Sequence, residues 1–297
     1  MAEKTDISWT DATFNPWWGC AKVSPACDHC YAERDSKRFA AGKVLWGVDA
    51  ERRTFDDKPG GSNKHWDAPL RWARTMPAKL GRRPRVFCAS MADVFDKNAP
   101  EGARDRLWKL IEATPELDWL LLTKRVGNVR GMVPPAWLAP GGWPAHVRIG
   151  STIINQEEAD RDIGKLLALN CPNFLSIEPM LGPVELTVSR TDNFGMNTES
   201  LNTLTGRSVG RYTPPVPYRH SEAVYQVFDR GINWVICGGE SGPHARPMHP
   251  DWVRSLMQQC KAAGVAFHLK QITERGRPLP MAEWPGDLRV QEFPDAR

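Results

Sequence analysis

Six short apolar runs, set apart by helical patterns, constrain this chain's fold more than any other feature. They read RVFCAS (85–90), DWLLLT (118–123), HVRIGST (146–152), NFLSIE (173–178), NWVICGG (233–239) and VAFHLK (265–270). Runs that are apolar on both faces suit strands of a buried parallel sheet. Between them, Ala103, Leu107, Leu110 and Ile111 share one helical face. Ala159, Ile163, Leu166 and Leu167 do the same behind a capping-box-like start at Asn155 and Glu158. Val253, Leu256, Met257 and Cys260 repeat the pattern between Pro250 and Gly264. A further helix is expected over 31–41, closed by Gly42. Alternation of this kind predicts an α/β fold, a partial or complete parallel (β/α) barrel. A doubly wound sheet competes, but no G-x-G-x-x-G follows the first strand. The 297 residues fit a single domain over 1–297.

Two stretches break the rhythm. Residues 43–84 are rich in Gly, Pro and charge and read as a basic, aromatic excursion. Residues 183–231 are polar, carry PPVP at 214–217, and read as an insertion or lid before the last strands. Segment 51–85 holds ten Lys/Arg against four Asp/Glu, a local +6 in a chain whose total is +4. Trp46, Phe55, Trp66 and Trp72 lie in or beside it. Cations interleaved with aromatics can grip nucleic acid through phosphates and stacked bases, which makes Arg82, Arg83 and Arg85 candidate substrate-binding residues. A solvated basic surface is the plainer alternative. No run approaches a membrane span and MAEKTDISWT has no apolar signal core, so a cytoplasmic protein without membrane contact is expected.

Cys20, Cys27 and Cys30 form a C-x6-C-x2-C cluster in WWGCAKVSPACDHCYAER. Zinc would want a fourth ligand, commonly from a second C-x2-C pair, and none is present. Reduced structural thiols would sit poorly among Gly, Pro, Asp and His. Three thiolates on one loop best suit an iron–sulfur cube with one iron left open. Cys88, Cys171, Cys237 and Cys260 lie in apolar contexts and read as core.

The ends of the apolar runs are polar. Ser90 and Asp93 follow the first run and Thr123-Lys124-Arg125 the second. Ser151 and Asn155 follow the third, Glu178 the fourth, Gly238-Gly239-Glu240 with Arg246 the fifth, and Lys270 the last. Charge directly after an apolar strand is costly unless it lines a wet pocket, and in parallel barrels that pocket is the working end. Helix capping and surface ion pairs are the bland reading of each residue singly. Gly238 and Gly239 would let backbone approach a ligand closely.

At this point the sequence resembles a three-cysteine-motif family of phage and bacterial proteins of unknown function, related to the radical S-adenosylmethionine (SAM) enzymes. The resemblance rests on NPWWGCAKVSPACDHCYAER, FCASMADVF, LLTKR, GSTIINQEEADRDI, LSIEPMLGPVEL and the stretch from WVICGGESGPHARPMHP to HLKQ. It covers nearly the whole chain outside 187–231. It implies a barrel of the radical SAM type and a [4Fe-4S] cluster on Cys20, Cys27 and Cys30. It further implies SAM chelated at the open iron and cleaved to a radical that removes hydrogen from a substrate. Ser90, Asp93, Ser151, Glu178, Gly238 and Gly239 become candidate cofactor contacts. Lys124, Glu240 and Lys270 become candidate catalytic residues, and Arg246 a substrate contact. The expected partners are SAM, a nucleic-acid or nucleotide substrate undergoing modification or repair, and an electron donor such as a flavodoxin or ferredoxin. A non-catalytic Fe–S or zinc nucleic-acid-binding protein is the alternative. The cysteine spacing is wider than the usual x3-x2, His29 stands where an aromatic is usual, and the GGE comes late in the chain.

Overall fold

The computed structural model describes residues 5–39, 44–55, 64–191, 197–212, 221–226, 228–242 and 244–294. Its centre is a sheet of seven strands: β1 (Ala12–Thr13), β2 (Arg85–Cys88), β3 (Asp118–Thr123), β4 (Val147–Thr152), β5 (Asn173–Ile177), β6 (Trp234–Gly238) and β7 (Ala266–Gln271). They neighbour one another in chain order. Every pairing is parallel. Helices α1 (Tyr31–Phe39) and α2 (Asp67–Leu80) lie between β1 and β2. Helices α3 (Ala103–Glu112), α4 (Gln156–Leu167) and α5 (Pro250–Ala263) follow β2, β4 and β6. Two 3₁₀ turns, Val126–Gly131 and Pro135–Leu138, replace a helix after β3.

The sheet curls around Trp9. The Trp9 ring lies 4.6 Å from Phe87 on β2, 6.2 Å from Phe174 on β5 and 6.4 Å from Trp234 on β6. In a flat sheet with strands ~4.8 Å apart, β2 and β6 would stand about 19 Å from each other. One indole reaches both because the strands form an open barrel. Alternation then sorts the side chains. Phe87, Leu120, Phe174, Trp234 and Ile236 fill the lumen with Trp9. Val86, Leu121, Ile149, Leu175, Val235 and Leu269 face outward into one core with Leu107, Ile163 and Leu256 of the helices.

The open seam has its own cover. Ser8 Oγ and His268 Nε2 of β7 are 2.8 Å apart, tying the N-terminal segment to the last strand. The C-terminal segment shields the free side of β7 through a bond from Leu269 N to Val290 O (2.8 Å) and a bridge between His268 and Gln291. Covered edges do not recruit further strands.

Local signals explain the helices. Asn155 Oδ1 accepts from Glu158 N at 3.0 Å to cap α4. Pro250 opens α5 and Gly264, at φ 66°, ends it. Helix α1 covers most of the expected 31–41; its last residues and Gly42 lie outside the described residues.

The excursion at 43–84 contains α2, for which no helix was expected. That helix buries Ala68, Trp72 and Met76. Pro69 sits in its first turn, where the missing N–H has no partner to lose. Pro77 sits in its last turn. Residues 56–63 lie outside the described set. The insertion folds as an antiparallel meander of four strands, Thr187–Thr191, Asn197–Asn202, Arg207–Tyr212 and Ser221–Gln226. None of its described residues lines the cavity at the barrel mouth. Among the described residues no helix is long and apolar enough to cross a membrane.

Candidate functional site

A cavity of ≈ 630 Å³ opens at the C-terminal ends of the strands. Cys20, Cys27 and Cys30 line it together with Ser90, Asp93, Lys124, Glu178, Gly239, Glu240 and Lys270. The cysteine loop follows β1 and is laid across the mouth by backbone bonds. Gly19 N donates to Met91 O (3.1 Å), Cys20 N to Leu45 O (3.3 Å) and Gly47 N to Cys20 O (3.0 Å). Gly19 has φ 114°, and a Cβ there would stand 2.5 Å from Leu45 O, so the loop needs glycine at that crossing. Ser24 Oγ accepts from Ala26 N (3.1 Å) at the 3₁₀ turn Pro25–Cys27, and Cys30 leads directly into α1.

Two charged networks hold the loop from opposite sides. On one side Arg125, after β3, donates from Nη1 to Cys20 Sγ (3.4 Å) and from Nη2 to Ala21 O (2.8 Å). Asp93 fixes Arg125 at 2.9 Å and accepts from Thr123 Oγ1 (2.8 Å), Lys124 N (3.1 Å) and Phe95 N (2.9 Å). On the other side Glu240, after β6, meets His29 Nδ1 at 2.7 Å and accepts from Arg246 N (2.9 Å), Nε (3.0 Å) and Nη2. Arg246 also donates to Pro25 O (2.9 Å). Burial pushes the Glu240 carboxyl up, but the bonds from Arg246 and His29 outweigh it and hold it below the usual range. Burial and Asp93 push the Cys20 thiol up to about 11, against the pull of Arg125.

The thiols can be tested against a cluster and against a single ion. Among the described residues no three His, Cys, Asp or Glu side chains are drawn together as one ion's ligands. In a cube each thiolate takes a different iron, so the ligands need not share one coordination sphere. The three sit on one loop, line one cavity and have an N–H donor at one sulfur, so they fit a three-thiolate cluster. The other four cysteines are fully buried away from the cavity, and burial raises Cys171 and Cys260 to about 12.

Several expected site residues take other positions. Ser151 is buried and does not line the cavity; its neighbour Thr152 does, because successive side chains on β4 face opposite ways. A Cβ at Gly238 would meet Glu178 Oε1 at 2.7 Å, and one at Gly239 would meet Thr273 Oγ1 at 2.4 Å. These glycines make room for neighbouring side chains, and Gly239 also lines the cavity. Glu240 and Arg246 are engaged with each other and the cysteine loop, and Arg246 lies off the cavity. Asp93 is similarly committed to internal bonds. Ser90 Oγ accepts from Asn15 Nδ2 (3.0 Å). Glu178 Oε1 and Lys270 Nζ pair at 3.2 Å on the wall of the cavity.

Arg82, Arg83 and Arg85 are at the wrong end of the sheet for this cavity. Strand β2 runs from Arg85 at the base to Cys88 near the mouth, so residues before it lie at the base. Arg82 forks onto Asp11 at 2.8 Å through both nitrogens, Arg83 pairs with Asp118 at 3.8 Å, and Arg85 lies 4.0 Å over the Phe293 ring. The void they line with Arg148 is only ≈ 20 Å³. Arg52, from the same basic segment, is buried against Asp96 at 2.9 Å.

Arg125, His29, Tyr31, Thr152 and Ser176 complete the site and had been given no role from the sequence. Tyr31 donates to Ser90 O at 3.0 Å. Arg125 follows a strand end directly and His29 lies between two cysteines, so both carried a positional signal.

Among solved structures the chain is similar to a variant of spore photoproduct lyase with bound AdoMet and dinucleoside spore photoproduct. The identity is 13%, the TM-score 0.37, and the match covers 56% of this chain and 45% of that one. The match therefore covers less than half the length of that protein. No curated protein matches the chain. Residues 4–280 match the family model described as "Protein of unknown function (DUF5131)", and the chain belongs to that family.

Proposed function

We propose that this chain is a radical SAM enzyme in which Cys20, Cys27 and Cys30 hold a [4Fe-4S] cluster and SAM binds at its open iron. One observation carries the reading: three free cysteines on one loop line the same cavity as the polar ends of β2, β3, β5, β6 and β7. A protein whose cluster served only structure would have no need of that polar wall, which argues against the non-catalytic alternative. When bound, the cluster and SAM supply one-electron chemistry that removes a hydrogen atom from an unreactive carbon.

The chain's residues bind, orient and exclude water. Arg125 and the Glu240–Arg246 pair hold the loop from two sides. The Glu178–Lys270 pair offers an acceptor and a donor to polar parts of SAM or substrate, with Thr152 and Ser176 beside it. The Thr152 hydroxyl is buried without a protein partner, as a ligand contact would leave it. Lys124 has no ion-pair partner among the described residues and is assigned to substrate. Trp9 and Phe87 close the floor with apolar surface. For substrate we favour a nucleic acid or nucleotide, since Tyr31, Trp46, Lys22 and Arg34 give the cavity aromatic faces and cations. A cytoplasmic setting and a flavodoxin- or ferredoxin-like donor complete the reading.

The test is release of 5′-deoxyadenosine from SAM by anaerobically reconstituted protein with dithionite. Iron-loaded protein that releases none would overturn the proposal. Glu178→Gln refines it. If Glu178 grips SAM, affinity falls by roughly tenfold to a hundredfold, as for one charge-assisted hydrogen bond. If Glu178 serves the substrate, SAM cleavage persists while product formation drops.

A further inference from the structure

We infer that Arg125 sets the reduction potential of the metal centre through its bond to Cys20, and that Asp93 acts as the opposing weight. The inference rests on the cluster reading above and concerns residues the sequence reading did not join. Cys20 is the thiol so treated: among the described residues no side-chain donor reaches the sulfur of Cys27 or Cys30. Arg125 is fixed by three acceptors, Cys20 Sγ at 3.4 Å, Ala21 O at 2.8 Å and Asp93 Oδ2 at 2.9 Å. Its side chain is only 10% exposed and that of Asp93 only 7%.

In the reduction, one electron from an external one-electron donor takes the cluster from its 2+ to its 1+ state, and no proton moves. The added negative charge spreads onto the sulfurs. An N–H aimed at a ligating sulfur stabilises that charge more in the reduced state than in the oxidised one, which raises the potential. Asp93 pulls the other way, because its carboxylate shares the same guanidinium nitrogen and carries an opposing charge. Low exposure keeps both effects poorly screened. Asp93 is itself pinned by Thr123 Oγ1, Lys124 N and Phe95 N, so the two charges are held at fixed distances rather than averaged by motion.

The two residues therefore predict shifts of opposite sign. Arg125→Gln removes the donor's charge and leaves Asp93 uncompensated, so the potential falls. Asp93→Asn removes the counterweight, so the potential rises. Each change is expected to alter the reduced-to-oxidised ratio by about tenfold at a fixed donor potential, which is about 59 mV for one electron. Arg125→Lys keeps the charge but not the fork, and is expected to fall between wild type and Arg125→Gln.

The experiment is a dithionite titration of each reconstituted full-length variant, followed by electron paramagnetic resonance, with iron per chain matched to wild type. Should Arg125→Gln lose the cluster, Asp93→Asn and Arg125→Lys still carry the test. Opposite shifts support the inference. Shifts of the same sign, or none, overturn it while leaving the cluster reading standing. Wild-type protein that takes up no iron removes the cluster reading, and this inference with it.

Discussion

At the mouth of the barrel, Asp93, Arg125 and Glu240 have side chains no more than 10% exposed. At its base, Arg82 is 34% and Arg83 43% exposed, with Asp11 and Asp118 about half as open. Both ends pair arginines with acids, yet the pairs differ in kind. Exposed pairs contribute about 0–1 kcal/mol, since water screens them and long side chains must be ordered. Buried charges cost several kcal/mol each to desolvate and are kept only where every donor and acceptor is matched. At the mouth that matching converges on the cysteine loop. At the base it converges on nothing larger than a ≈ 20 Å³ void. The comparison teaches that a basic run in a sequence is uninformative until the direction of the neighbouring strand is known.

The largest expected effect tests the mouth. Cys27→Ala should abolish the iron–sulfur cluster in protein purified without oxygen, read as iron and sulfide per chain. Stoichiometric zinc with no iron in the wild type would remove the contrast altogether.

An intermediate effect is expected from His268, inside the barrel between the two ends. Burial, the first cause, with Arg85 and Lys270 nearby, lowers its pKa from 6.5 to about 4. The unfolded chain then binds the proton first as pH falls. Stability is fully present above pH 6.5 and is lost progressively as the pH drops from 6.5 towards 4. The loss is about 3 kcal/mol, from 1.36 kcal/mol per pKa unit. Urea unfolding across that range measures it, and His268→Gln should remove that part of the slope. An unchanged slope in the variant would place the acid sensitivity elsewhere.

The smallest effect is expected at the base. Replacing Arg82 and Arg83 by Ala should change stability by about 1 kcal/mol or less. Iron content should stay at the wild-type value. Nucleic-acid affinity and its salt slope should also hold. A fall in affinity with a flatter salt dependence would mean that phosphates are neutralised at this end, and would restore the base as a substrate surface.

Much of the frame was readable in the sequence. DWLLLT is β3 residue for residue, because a strand buried on both faces leaves an unbroken apolar run. The caps at Asn155 and Gly264 are local signals that tertiary context did not override. Strand β1 escaped because two residues carry no period. Helix α2 escaped because it lies in a stretch rich in Gly, Pro and charge; its Pro69 and Pro77 sit in its terminal turns. The choice between Ser151 and Thr152 was out of reach for a different reason: where both faces of a strand are buried, hydropathy does not say which hydroxyl looks into the lumen. The roles of Gly238 and Gly239 depend on Glu178 and Thr273, which no local pattern connects to them. That Arg82, Arg83 and Arg85 lie away from the cavity was legible, since residues that precede a barrel strand lie at the end opposite the one its last residues reach.

The contact between Ser8 and His268 joins residues 260 positions apart. At a synthesis rate of roughly 5–20 residues per second, about 13–52 seconds separate the two ends of that contact on the ribosome. Through most of that interval Trp9 cannot yet be enclosed by Trp234, which is itself among the later residues made. The lumen is thus sealed late, and a nascent chain arrested before β7 would carry an open apolar trough. The demand for chaperone shelter during synthesis should fall first on this seam; the cysteine loop already has its supports from Leu45, Met91 and Arg125 in the first half of the chain and waits only for Glu240 and Arg246.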